Sequence, residues 1–198
     1  MSMHVEPQRG GRGARQRILD AAIRLFYQEG VNATGVERLA AEASVSKRTL
    51  YQHFPSKTAV VEEYLRYIRQ SVGDPVRPDA DAAGRSPRAR ILALFAAPPS
   101  DGLMRGCPFH NAAVEAADGM PEVHEIVEAH KRSYIDGLSD LARQAGAANA
   151  KAVGFQLAVL YEGAASLSTS LNDAAPWVHA RKAAQNLLDD AVRRRSAR

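Results

Sequence analysis

Apolar residues recur at helical spacing over most of this chain, and no stretch alternates with the period of two that a half-buried strand requires. Between residues 14 and 30, Ile18, Leu19, Ala22, Ile23 and Phe26 form one stripe, with Gly30 as the stop. Val36, Leu39, Ala40 and Ala43 repeat that spacing. A tight connector, Ala43-Ser44-Val45-Ser46, then leads into a short run whose inward residues are Leu50 and Phe54. Ser56 opens a fourth helix with Val60, Val61, Tyr64, Leu65 and Ile68 on its apolar face. Residues 73–87 break the periodicity with three prolines and two glycines, and read as a loop into a larger helical region. Beyond it the pattern predicts helices over 87–97, 108–117, 121–145, 149–171 and 176–194, with an interruption at 98–102. Pro87, Pro108, Pro121 and Pro176 each stand where a first-turn proline is tolerated. The expected fold is all-α, with a helix-turn-helix domain over 1–55, a connecting helix and loop over 56–86, and a helical domain over 87–198.

Two short helices joined by a tight turn are the arrangement of a helix-turn-helix, whose second helix enters a DNA major groove. Ser46 is placed to cap that second helix, with Lys47, Arg48 and Thr49 in its first turn and Tyr51 and His53 facing away from the core. Lys57, in the first turn of the fourth helix, stands with exposed N-terminal amides that suit a phosphate. The phase opposite Leu50 and Phe54 assigns Lys47 and Arg48 to base edges or nearby phosphates, and Thr34, Tyr51, His53 and Lys57 to the DNA backbone. Glu37 is the odd charge on this surface: it either accepts from cytosine or supports the fold.

The stretch from Thr34 to Lys57 resembles the TetR-type transcriptional regulators. It carries Thr34, the pair Leu39-Ala40, the turn Ala43-Ser44-Val45-Ser46, then Leu50-Tyr51-Gln52-His53-Phe54 and Lys57, in the order and spacing of that family's pattern. Ser44 departs from it, standing where the family has a turn glycine, so a non-glycine residue must take up an unusual backbone conformation there. Gly35 stands where the family often has Ser or Thr, which removes a possible phosphate contact. The resemblance implies a homodimer on a palindromic double-stranded operator, its two recognition helices about 34 Å apart, and a small-molecule effector bound in the C-terminal domain that releases DNA. Repression is the family's default.

Charge supports this division. The net charge of +4 is segregated: residues 1–57 carry nine Lys/Arg against five Asp/Glu, and 58–180 carry eleven against fifteen. One basic end and an acidic middle suit a protein that offers a single face to phosphates, and they argue against a uniformly basic DNA-packaging protein. Residues 1–13, with Arg9 and Arg12 and with Arg15 and Arg17 just beyond, read as a disordered leader or an arm for the neighbouring minor groove. Arg193-Arg194-Arg195 reads as a frayed helix end. The single cysteine, the lack of a long apolar run and the lack of a signal-peptide core point to a reducing, cytoplasmic location. No cofactor or metal is expected, and no membrane partner.

Enzyme readings find little to build on. Cys107 and His110 lie three apart at a helix start, but no orienting group accompanies them. His124 and Glu128, one turn apart, read as a solvated polar face.

In the C-terminal half, Arg105 to Glu115 resembles a Gly-Cys-Pro/Leu-x-x-Asn segment found in a subset of these regulators. Sulfur, aromatic and amide groups recur near two segments and predict an effector pocket drawn from Met104, Cys107, Phe109, His110, Asn111, Tyr134, Gln156, Tyr161, Glu162 and Trp177. An alternative is a redox or electrophile sensor acting through Cys107. Leu157, Leu160, Leu167 and Leu171 in one helix, with Val178, Ala184, Leu187, Leu188 and Ala191 in the last, are expected to form a four-helix seam across a two-fold axis.

Overall fold

The computed structural model describes residues 11–72, 76, 84–98, 104–116 and 119–196. Among these the chain forms nine α-helices and no strand: α1 Gly11–Gln28, α2 Val36–Glu42, α3 Lys47–His53, α4 Lys57–Val72, α5 Pro87–Leu94, α6 Pro108–Glu115, α7 Pro121–Gln144, α8 Ala150–Leu171 and α9 Ala175–Ser196. Most of the expected loop after α4, and the expected arm before α1, lie outside the described residues. The chain divides into two compact units whose borders cut across the expected domain limits: residues up to Tyr67 join Asn111–Ile126, and Ile68–His110 join the chain from Val127 onward. The end of α6 and the start of α7 therefore belong with the helix-turn-helix.

In the first unit α1, α2 and α3 pack on one another because each offers a stripe of aliphatic side chains. Ile18, Leu39 and Leu50 are completely buried, Leu25 and Phe26 nearly so, and each such burial stabilises by roughly 1.5–3 kcal/mol. Phe26 meets Tyr64 of α4 edge-on at 5.6 Å. Polar contacts lock the corners. Arg17 donates from Nε to the Ala43 carbonyl at 3.0 Å. Arg15 pairs with Glu63 at 2.8 Å and lies 5.1 Å from the Phe54 ring centroid. These two arginines thus brace helices rather than extend an arm.

The second unit is built around Leu138, Leu141, Leu157, Leu188 and Ile91, all within 1% of full burial. The helices come close where small residues allow it. A Cβ on Gly154 of α8 would fall 2.5 Å from the Ser139 backbone nitrogen of α7, and one on Gly137 would fall 2.3 Å from a Val76 methyl. Ser86 caps α5 by accepting the Ala89 N–H at 3.2 Å, and Arg181 of α9 donates to the Leu92 carbonyl at 2.9 Å.

The expected dimer seam divides between two faces: Leu167, Leu171 and Val178 stay exposed, while its other members turn inward. Leu157, Ala184, Leu188 and Ala191 are buried within the protomer's own core, and Leu160 and Leu187 pack partly against it, because α8 and α9 use those faces on each other. The apolar side chains left outside are Phe155, Val159, Leu167 and Leu171 of α8 and Val178 of α9, each more than half exposed.

Candidate DNA-reading face and effector region

The first turn of α3 is fixed by its own serine. The Ser46 hydroxyl accepts the Thr49 N–H at 3.0 Å and shares a hydrogen bond with Thr49 Oγ1 at 2.8 Å, which satisfies a helix donor that would otherwise lack a partner. The preceding turn closes through Val45 N–H to the Ala40 carbonyl at 2.9 Å. It does so only because Ser44 adopts φ +52, the left-handed conformation its place in the turn demands.

With Leu50 and Phe54 buried, Lys47, Arg48 and Tyr51 are exposed, while Thr49 and His53 are half-buried. Arg48 makes no ion pair among the described residues, so its guanidinium stands in water. Lys47 is paired with Glu37 of α2. The hydrogen bond between them holds the Glu37 carboxyl below its ordinary pKa and the Lys47 ammonium above its own.

Thr34 does not join this face. It is fully buried, and its Oγ1 donates to the Gly30 carbonyl at 2.7 Å. A hydroxyl inside the turn between α1 and α2 has no access to a phosphate, and its work is to close that turn. Lys57 is half-buried; burial lowers its pKa, with the Glu115 carboxylate opposing the shift.

Glu115, at the end of α6, has a role that spacing did not reveal. Its carboxylate accepts the Asn32 N–H at 2.7 Å, and Asn32 Nδ2 donates to its carbonyl at 2.9 Å. Gly30, at φ +96, lies so close that a Cβ there would come within 2.9 Å of the carboxylate oxygens. The turn leading into α2 is thus clasped by a residue eighty-three positions away from Asn32.

In the second unit Tyr161 of α8 is the centre of an aromatic cluster. Its ring lies 5.1 Å from Trp177, 5.4 Å from Tyr134 and 6.2 Å from Phe95 by centroid. Burial, with Cys107 and Glu162 nearby, pushes its phenol up to about 12. Beside it Lys131 of α7 donates to Glu162 at 2.5 Å and to Cys107 Sγ at 3.5 Å. The Trp177 Nε1 and Ser168 Oγ atoms are buried with no hydrogen-bond partner among the described residues. Such orphaned groups cost free energy unless something supplies the missing bond.

The structure thus gathers Cys107, Tyr134, Tyr161, Glu162 and Trp177 into one neighbourhood, and adds Phe95 and Lys131, which no spacing singled out. Phe109 is buried and stacks on His130 at 3.7 Å. Met104 is half-buried and is anchored by its N–H to Asn172 Oδ1 at 3.0 Å. Three expected lining residues fall elsewhere: Gln156 and His110 are exposed, and Asn111 belongs to the first unit. Gln156 precedes the buried Leu157 and therefore points off the core side of α8. Glu128 pairs with Arg132 one turn on at 2.6 Å, as a solvated helix face would. No helix among the described residues is long and apolar enough to cross a membrane.

A helix-turn-helix with an exposed cationic first turn, followed by a separate helical unit, defines a DNA-binding transcriptional regulator. The profile of bacterial regulatory proteins of the tetR family matches residues 18–64, and that of the tetracyclin repressor-like C-terminal domain matches residues 88–184. The chain belongs to the TetR family. Among relatives, it is 26% identical over 183 residues to the HTH-type transcriptional regulator LmrA of Bacillus subtilis, covering 88% of this chain and 96% of LmrA. It is 36% identical over 85 residues to the HTH-type transcriptional repressor KstR2 of Rhodococcus jostii, covering 43% of this chain and 41% of that one. A solved TetR-family transcriptional regulator from Streptomyces coelicolor superposes with a TM-score of 0.78 at 28% identity, covering 91% of this chain and 97% of that one.

Proposed function

We propose that this regulator is a cytoplasmic homodimeric repressor, that it grips a palindromic operator through the first turn of α3, and that a small molecule bound near Tyr161 releases it. The observation that carries the DNA half is the capped first turn of α3, which holds Lys47 and Arg48 outward while Leu50 and Phe54 are buried. In this reading Lys57, Tyr51 and His53 hold phosphates, and no catalytic role is assigned to any residue.

The effector half rests on the aromatic cluster and on the unpartnered Trp177 N–H. A molecule with an aromatic or planar apolar body and one hydrogen-bond acceptor would satisfy both. α6 offers a route from effector to DNA, because it carries Phe109 in its first turn and Glu115 in its last. A ligand that shifts α6 would draw Glu115 away from Asn32 and free the turn that sets α2 and α3. Such a ligand releases DNA only to the extent that it binds the released state more tightly.

Dimerisation is supported by the exposed stripe Phe155, Val159, Leu167 and Leu171, which repeats every four residues or a multiple of four along α8, with Val178 beside it in α9. The stripe has a second copy as its natural cover, since two-fold pairing doubles the base pairs read.

Titration of labelled operator by fluorescence anisotropy tests the DNA half. Arg48→Ala should relax base preference. Lys57→Ala should weaken binding to all sequences and reduce the salt slope by about one unit. Wild-type behaviour from both variants would overturn the assignment of α3.

The contact between Lys131 and Cys107 favours a second reading, in which an oxidant or electrophile acts at the thiol. Cys107→Ser should then keep DNA under a thiol-reactive probe that strips the wild type. Equal release from both proteins would leave only the reversible pocket.

A further inference from the structure

We propose that the region around Tyr161 selects an uncharged, flat carbonyl compound, whose oxygen accepts the Trp177 indole N–H and whose far end reaches the Ser168 hydroxyl. This rests on the effector reading above and deepens it by naming the ligand's chemical class.

Two polar groups of the second unit are buried and left open by the fold. Trp177 is 7% exposed and Ser168 2%, yet neither Trp177 Nε1 nor Ser168 Oγ has a hydrogen-bond partner among the described residues. A hydroxyl inside a helix can bond the carbonyl one turn back. Thr169 and Ser170 do so, each at 3.0 Å, to Ala165 and Ser166. Ser168, beside them, does not. An indole N–H can only donate, so the group that completes Trp177 is an acceptor.

Both open groups border the same side of α8. Tyr161, Ala164, Ala165 and Ser168 share one stripe of that helix by phase. The Asp173 N–H returns to the Ser168 carbonyl at 3.2 Å, which folds the turn into α9 back beside Ser168. Trp177, in the first turn of α9, meets the Tyr161 ring edge-on at 5.1 Å. Tyr161 and Ser168 stand two turns, about 10 Å, apart along the helix, with alanines between them on the stripe. That span suits a flat bicyclic body, whose edges and faces extend the aromatic cluster.

Charge decides the rest. Glu162, next to Tyr161, pairs with Lys131 at 2.5 Å, so neither has a charge to spare. A carboxylate placed here would meet Glu162, and an ammonium would meet Lys131, each without a free counter-ion. Burying an unpaired charge is costly. The Tyr161 phenol, pushed up to about 12, stays uncharged as well. A ketone, lactone or amide carbonyl satisfies Trp177 and disturbs no pair.

Four naphthalene probes of similar size test this on the full-length protein: acetylnaphthalene, ethylnaphthalene, naphthoate and aminomethylnaphthalene. Trp177 is the sole tryptophan of the chain, so its indole N–H gives one cross-peak in a nitrogen–proton NMR spectrum. The acetyl probe should move that peak downfield, as a new hydrogen bond does, and should bind about tenfold more tightly than the other three by calorimetry. Trp177→Phe keeps an aromatic ring and removes the donor, so it should bring the acetyl and ethyl probes level. Without any probe, Ser168→Ala should melt no lower than wild type, because the hydroxyl it removes bonds nothing. A lower melting temperature for Ser168→Ala, an indole peak unmoved at saturation, or tighter binding of the naphthoate or the amine overturns the proposal. So does an acetyl preference that survives in Trp177→Phe.

Operator release separates the two levels of failure. If the acetyl probe binds as expected while operator stays bound, the release reading falls and the ligand class stands. If the ethyl probe binds and releases operator as well as the acetyl probe does, release near Tyr161 stands and the ligand class falls. Binding of none of the four up to their solubility limits overturns both.

Discussion

The proposed DNA-reading face and the proposed effector region differ in the range of the bonds that shape them most closely. In the first, the decisive bonds are local: Ser46 to Thr49 at three residues' separation and Thr34 to Gly30 at four. In the second they reach across the chain, from Lys131 to Glu162 over thirty-one residues and from Arg181 to the Leu92 carbonyl over eighty-nine. A reading face that must present the same side chains to every operator is set by its own neighbourhood in sequence. The proposed effector region is assembled from distant segments, whose relative placement a bound ligand would alter. Glu115 joins the two kinds. It is a long-range residue, yet it closes on the local turn at Asn32.

Substitutions can break this contrast. The largest effect is expected at the close approach of α7 and α8. Gly154→Val would drive side-chain atoms into the Ser139 backbone, which cannot move aside as the tip of a flexible side chain can. Denaturant unfolding should show a loss of about 3 kcal/mol. A loss below about 1 kcal/mol would mean that the second unit tolerates repacking there.

Next in size is Leu167→Glu. The side chain is more than half exposed in the protomer, so helicity and protomer fold should be retained. The dimer should be lost, and with it about a hundredfold in operator affinity as two linked half-sites become one. Sedimentation measures the first and anisotropy the second. The same change at Leu157, which is fully buried, should instead unfold the protein.

Ser44→Gly sharpens the account of the reading face. Removing a Cβ at φ +52 relieves left-handed strain and should stabilise by about 1 kcal/mol in thermal melting. No gain would mean that local hydrogen bonding already compensates for the strain.

The smallest effect is at Glu63, whose carboxyl is held below its ordinary value of 4.5, chiefly by its hydrogen bond from Arg15. A depressed carboxyl lends stability at pH above that value and withdraws it as pH falls through the depressed pKa. Wild type should therefore exceed Glu63→Gln by less than about 1 kcal/mol near neutrality, with the gap closing on acidification below 4.5.

The reach of sequence reading follows the same contrast. The cap at Ser46, the strain at Ser44, the stop at Gly30 and the prolines at the starts of α5, α6 and α7 were legible, because each depends on a few neighbouring residues. The burial of Thr34 was not. Its spacing is the same whether its hydroxyl turns outward to a phosphate or inward to a carbonyl. Likewise the apolar periodicity of α8 and α9 identified both helices but could not say which of two apolar faces the helices use on each other, so the expected seam joined Leu157 and Leu188, which are buried, to Leu167 and Leu171, which are exposed, and left out Phe155 and Val159. Lys131 and Phe95 carried no local signal at all. Only the packing of α5, α7 and α8 brings them to Tyr161.

The central claim is that two copies of this chain read a symmetric site through the first turn of α3. Hydroxyl-radical footprinting of the wild type on its best selected sequence tests that claim most directly. Two equally protected half-sites related by a two-fold axis, with centres about 34 Å or a multiple of that apart on one face of the duplex, are the predicted result. A single protected half-site, or an unsymmetrical footprint of uniform depth, would contradict it.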